Sequence, residues 1–141
     1  MAVFTKFLCF TEDVAKKVHN LSADVLKVML TNTIPVNTNT IKANITEIAA
    51  GSGYSAGGAT PAITSCVQTA GVLKLVLAVA VITAAGGSIG PFRWAVLWND
   101  TPTSPVDPLI GWYDYGAAIT LLDGESLTID YDPSAGALTI T

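Results

Sequence analysis

The longest unbroken apolar run in this chain, residues 75–82, is only eight residues long, and that brevity constrains the fold more than any other feature. A membrane-spanning helix needs about 20 apolar residues. The run is also rich in β-branched side chains, which suits a buried strand. Elsewhere the apolar residues alternate with polar ones over short stretches bounded by Gly, Pro and Asn, the pattern of an antiparallel sandwich or barrel.

Read from the N-terminus, residues 11–18 predict one short helix. Thr11 is placed to cap it, Glu12 and Asp13 occupy its first turn, and Lys16 and Lys17 follow, as the helix dipole favours. Val14 and Val18 fall on one face, and Asn20 ends the element. Residues 24–31 predict a half-buried strand, with Leu26, Val28 and Leu30 inward and Lys27 and Met29 outward. Further strands are expected at residues 44–48, 62–68 and 72–83. Gly86-Gly87 and Gly90-Pro91 bracket a turn before the clearest strand. There Phe92, Trp94, Val96 and Trp98 share one face and Arg93, Ala95 and Leu97 the other, so the strand reads as central. Residues 109–115 form an aromatic strand. Asp123-Gly124 joins residues 119–122 and 126–131 as a hairpin, and residues 137–141 close the chain. The expected fold is all-β: an antiparallel, jelly-roll-like sandwich or barrel of about eight or nine strands with one short N-terminal helix. Residues 1–10 read as an arm and residues 11–141 as a single β domain.

Half of the residues are apolar and only 13% are charged, against about 25% in an average soluble protein. Either the chain buries part of its surface against other subunits, or it is a monomer with a neutral Thr-, Ser- and Asn-rich surface. The net charge of -4 and the single basic pair, Lys16-Lys17, argue against nucleic-acid binding, which needs clustered cations. The opening residues lack the features of a signal peptide. Asn20-Leu21-Ser22, Asn44-Ile45-Thr46 and Asn99-Asp100-Thr101 are accordingly read as chance matches to the glycosylation pattern. Cys9 and Cys66 fit no zinc-ligand spacing, and as free thiols or a disulfide both states stay open at this point.

Enzyme chemistry finds little to work with, and no cofactor or metal is expected. His19, the only histidine, lies by a helix end and reads as a surface or capping residue. No Gly-x-Ser-x-Gly elbow surrounds a serine. The glycine-rich stretch 51–58 lacks the Lys-Ser/Thr ending of a phosphate loop and reads as mobile, with Tyr54 pinning it to a neighbour. Asp130 and Asp132 share a strand face beside Asp123 and Glu125. They read as solubilising residues that guard an edge, ahead of a glycosidase pair or a weak calcium site. Trp94, Trp98, Trp112, Tyr113 and Tyr115 raise a carbohydrate-binding module as the rival from another class. A role in the core or at a protein interface is favoured over sugar stacking.

Four segments carry a resemblance: Asn20 through Asn32, Asn44 through Tyr54, Gly90-Pro91-Phe92-Arg93-Trp94-Ala95-Val96-Leu97-Trp98-Asn99-Asp100, and Asp107 through Gly116. In this order they resemble small structural proteins of tailed bacteriophages, over most of the chain from about residue 4 onward. The resemblance implies a virion component, with capsid decoration (cement) favoured over a tail or head-completion role. It implies location on the capsid surface, the major capsid protein as partner, and a homo-oligomer, a trimer being favoured. The candidate interface residues are Phe4, Phe7, Phe10, Tyr54, Trp112, Tyr113 and Tyr115. On this reading the phenylalanines of residues 1–10 form an apolar ridge that docks on a neighbour, so deleting them would weaken attachment and leave the fold intact.

Overall fold

The computed structural model describes residues 3–131 and 135–141. Among them are nine strands: β1 (Val3–Lys6), β2 (Leu26–Thr31), β3 (Ile63–Thr69), β4 (Val72–Leu77), β5 (Ala80–Thr83), β6 (Ile89–Asn99), β7 (Leu109–Leu121), β8 (Ser126–Ile129) and β9 (Leu138–Ile140). One helix, α1 (Leu8–Ala15), follows β1. The strands pair antiparallel in three sheets, ordered β1-β7-β6-β2, β3-β4-β9 and β5-β8. The fold is therefore all-β and sandwich-like, with β6 central as its pattern implies.

The centre of the four-stranded sheet is buried on both faces. Leu26, Val28, Leu30, Ala95, Leu97 and Ile110 face the main core, where they meet Leu75, Leu77, Ile82, Ile129 and Leu138 from the two smaller sheets. Met29, Val96, Trp98 and Leu109 point the other way, into a second core closed by Phe7 and Ile45. Residues 24–31 are therefore not a half-buried strand, because Met29 is fully enclosed as well. Residues 44–48 form no strand. A single 3-10 turn, Lys42–Asn44, drops Ile45 into the second core instead.

Residues 1–10 are not a free arm in the part that is described. β1 pairs with β7, Phe4 opposite Tyr113 and Thr5 opposite Trp112. Phe7 is fully buried and Phe10 nearly so. Chain connectivity hid this: three phenylalanines at three-residue spacing look like a ridge, but the strand-to-helix junction turns Phe7 into one core and Phe10 into the other. α1 also begins three residues earlier than its expected cap. Its first N–H groups find tertiary carbonyls, Phe7 N–H donating to Ile110 O at 3.1 Å and Leu8 N–H to Asn37 O at 3.0 Å, so no side-chain cap is needed. The helix ends before Asn20. Lys17 takes a left-handed φ of 64°, and Val18 N–H reaches back to Asp13 O at 2.8 Å.

Two further expectations fail for non-local reasons. The Asp123-Gly124 turn forms, with Glu125 N–H donating to Leu122 O at 2.9 Å, yet its flanking strands do not pair with each other. β8 crosses to β5, Val81 opposite Thr128 and Ile82 opposite Leu127. Likewise Phe92 does not share a face with Trp94, Val96 and Trp98. Between Phe92↔Ile119 and Trp94↔Asp114 the register shifts, and a bulge of this kind moves a side chain to the opposite face. Phe92 thereby joins Ala95 and Leu97 in the main core. The run 72–83 is broken into β4 and β5, and Val79 and Val81 are exposed.

Candidate interaction surface

The outer edge of β2 shows how the loops are tied down. Val28 exchanges two hydrogen bonds with Ala59, at 2.8 and 3.0 Å, and Leu30 O accepts from Ile48 N–H at 3.1 Å. Leu30 N–H donates to the Tyr54 hydroxyl at 2.9 Å. That hydroxyl donates in turn to Glu47 Oε1 at 2.6 Å, which also accepts from Gly57 N–H at 2.6 Å. Glu47 Oε2 pairs with Lys42 at 2.9 Å. Gly57 O accepts from the Trp98 indole at 3.1 Å, and Lys27 and Lys42 lie over that ring. Segment 51–58 is thus bonded to its own chain at several points, and Tyr54 anchors it inward, not to a neighbour. Burial and the Glu47 carboxylate push the Tyr54 hydroxyl well above its ordinary pKa, so it stays a donor. Tyr54→Phe leaves the Leu30 N–H without its partner and strips one donor from Glu47. A loss of about 2 to 4 kcal/mol is expected, read as a lower denaturant midpoint at unchanged slope.

The other candidate interface residues are also drawn into the protein. Trp112 is half-buried against Phe7, ring centroids 4.5 Å apart. Tyr113 packs on Phe4 and Tyr131, and Tyr115 meets the edge of Phe92. Phe4 is half-buried and packs on the main core. Trp94 and Trp98 are buried, so neither offers an open ring face on which a sugar could stack. The periodicity could not reveal this, since half-exposed and buried aromatics share one sequence pattern.

The remaining candidates fall into structural places. Cys9 and Cys66 are free thiols, both partly buried. Burial, with Asp13 nearby, pushes the Cys9 thiol up to about 11, so it stays protonated at neutral pH. Asp123 Oδ1 accepts from Gly86 N–H at 2.9 Å and Glu125 Oε2 from Leu122 N–H at 2.7 Å. Both carboxylates lock turns. Asp130 is exposed, and Asp132 lies outside the described residues. Among the described residues no group of three or more His, Cys, Asp and Glu side chains is arranged to hold a metal ion, and no helix is long and apolar enough to cross a membrane.

What the surface does offer is neutral and aliphatic. From residue 48 to residue 92 the only charged side chain is Lys74, and this stretch supplies β3, β4 and β5. Val67 on β3 is 59% exposed and Val81 on β5 57% exposed, with Val72 and Val79 open as well. Thr64 and Thr69 lie on β3 and Thr83 on β5, and Thr128 of β8 stands opposite Val81. β3 is one of the two outer strands of its sheet, and an outer strand with an exposed valine and no charge of its own is a surface suited to association. No protein-family model, curated protein or solved structure matches the chain. Sequence reasoning overlooked this face because valines within a long apolar run were read as buried. The missed signal was the near-absence of charge over 45 residues, numbers 48 to 92.

Proposed function

We propose that this chain is a structural protein of a tailed-bacteriophage particle, with capsid decoration its favoured role. It binds the major capsid protein and its own copies, as a trimer, at the capsid surface. The four-segment sequence resemblance points to the phage particle, and the exposed valines of β3–β5, in a stretch whose one charge is Lys74, carry the mode of action. Burying such a face releases water from apolar surface at roughly 25 cal/mol per Å², and its threonines add hydrogen bonds without the desolvation penalty of a charge. Small contacts of this kind, repeated by symmetry, sum to firm attachment through multivalency. A tail or head-completion protein would use the same chemistry at far lower copy number.

Quantitative mass spectrometry of purified particles tests the reading. Copies comparable to those of the major capsid protein support decoration, a few copies per particle support the tail or a vertex, and absence from particles overturns the proposal. The binding face has its own test. Val79→Asp and Val81→Asp change exposed side chains and should leave the fold intact. Each is expected to lower particle occupancy at least about tenfold, because burying an unpaired carboxylate costs well over about 1.4 kcal/mol. Unchanged occupancy for both would remove this face from the interface.

A further inference from the structure

His19 is not the surface or capping residue its sequence position suggests. It is 8% exposed, packs its ring 5.3 Å from that of Phe10, and places Nδ1 at 3.0 Å from Asn99 Nδ2. Asn99 is itself fully buried at the end of β6. Two neighbours settle which way its amide points. Thr101 N–H donates to Asn99 Oδ1 at 3.0 Å, so that atom is the acceptor. Asn99 Nδ2 donates its second hydrogen to Asp24 Oδ2 at 2.7 Å. The first hydrogen therefore faces His19 Nδ1, which must accept. A histidine that accepts at Nδ1 is neutral, with its proton on Nε2.

Protonation has no room in this arrangement. A proton on Nδ1 would face the Asn99 amino group, donor against donor. Turning the amide over would lose both the Thr101 and the Asp24 hydrogen bonds. The groups that face His19 from the surrounding elements are Asp13 on α1, Asp24 on the connection before β2, and the neutral Asn99 on β6. The two carboxylates favour the imidazolium, but burial opposes it more strongly and holds the pKa below the ordinary histidine value. The same cluster anchors the connection from α1 to β2. Asp24 Oδ2 also accepts from Asn20 N–H at 2.8 Å, and Val25 N–H donates to Thr101 Oγ1 at 2.8 Å.

We infer that His19 is an acid-operated latch: neutral, it holds residues 18–25 against the end of β6, and protonation releases that connection while the sheets stay paired. The direction follows from linkage. A folded pKa below the free value of about 6.5 means that the neutral form is the one the fold stabilises. The latch is complete above about pH 6.5 and is lost as pH falls from there toward the folded pKa, by at most about tenfold per pH unit. This inference does not depend on the function proposed above.

Two measurements on the unmodified protein between about pH 8 and 5 test it. Nitrogen–proton NMR of the imidazole should show the Nε2–H form and a midpoint below about 6.5. Hydrogen exchange should show the Ala23 and Asp24 amides, both bonded to Asn20 O, losing protection over that titration while amides of β2 and β6 keep theirs. An Nδ1–H form, a midpoint at or above about 6.5, or protection that does not follow the titration overturns the latch. Asn99→Asp adds a sign test, since a carboxylate oxygen facing Nδ1 accepts its proton. The midpoint should then rise above about 6.5 and the connection should be best protected in acid, and a variant that keeps the original direction overturns the inference.

Discussion

A chain lacking residues 1–10 is expected not to fold, and Phe7→Ala alone is expected to cost about 3 to 5 kcal/mol. Phe7 is fully buried between Met29, Val96, Trp98 and Leu109, with Trp112 against its ring. Its removal leaves a cavity that the strand on one side and the helix on the other cannot close. Phe10 occupies the main core, so the deletion empties part of both cores at once. It also bares the edge of β7 that β1 covers from Gly111 to Asp114. Gly111 allows this close pairing, because a Cβ there would overlap the Phe4 ring. Together these losses equal or exceed the roughly 5 to 15 kcal/mol by which a domain of this size is stable. Circular dichroism and chemical denaturation check both variants. Leu8→Ala is the control: the next residue along is 58% exposed, and its substitution should change stability by under about 0.5 kcal/mol. A truncated chain that melts cooperatively near the parent temperature would return residues 1–10 to the status of an appendage.

Gly58→Ala is the second large effect, about 3 to 5 kcal/mol. Gly58 has φ +85°, and a Cβ there would run into the Val28 carbonyl and come within 2.7 Å of Met29 Cα. Both obstacles are backbone of a buried strand, so nothing flexible can yield. The chain would have to lift away from β2, opening the paired hydrogen bonds between Val28 and Ala59. The left-handed conformation adds its own cost of about 1 to 2 kcal/mol for any residue with a Cβ. Gly71→Ala separates the two contributions. Gly71 has a similar φ of +83° but open space around it, so it should lose only the conformational part. Equal destabilisation of the two variants, measured by urea denaturation, would show that the contact with β2 contributes nothing.

The conformations read correctly from sequence are those decided within a few residues. Alternation along residues 94–98 marks a strand buried on both sides, and β6 is central in its sheet. Asp123-Gly124 marks a turn, and the turn is there because Gly124 adopts a φ of +89°. Three of the candidate interface residues, Phe7, Phe10 and Tyr54, are core residues instead, because exposure is not a local property. Phe7 and Tyr54 carry no sequence mark that separates a docking aromatic from a core one, whereas the long, nearly uncharged stretch that bears Val67 and Val81 was visible in composition and was passed over.

The amino-acid sequence by itself determined that this protein is made of short antiparallel strands with one short helix near the N-terminus, because periodicity, β-branching and turn chemistry act over a span of two to five residues. Only the tertiary structure decided that β8 leaves its turn partner for β5, that a register shift carries Phe92 to the main core, and that His19 is enclosed beside Asn99. Each of those outcomes joins residues dozens of positions apart. The free energy that selects them comes from burial and hydrogen-bond satisfaction over the whole core, which no local stretch of sequence encodes.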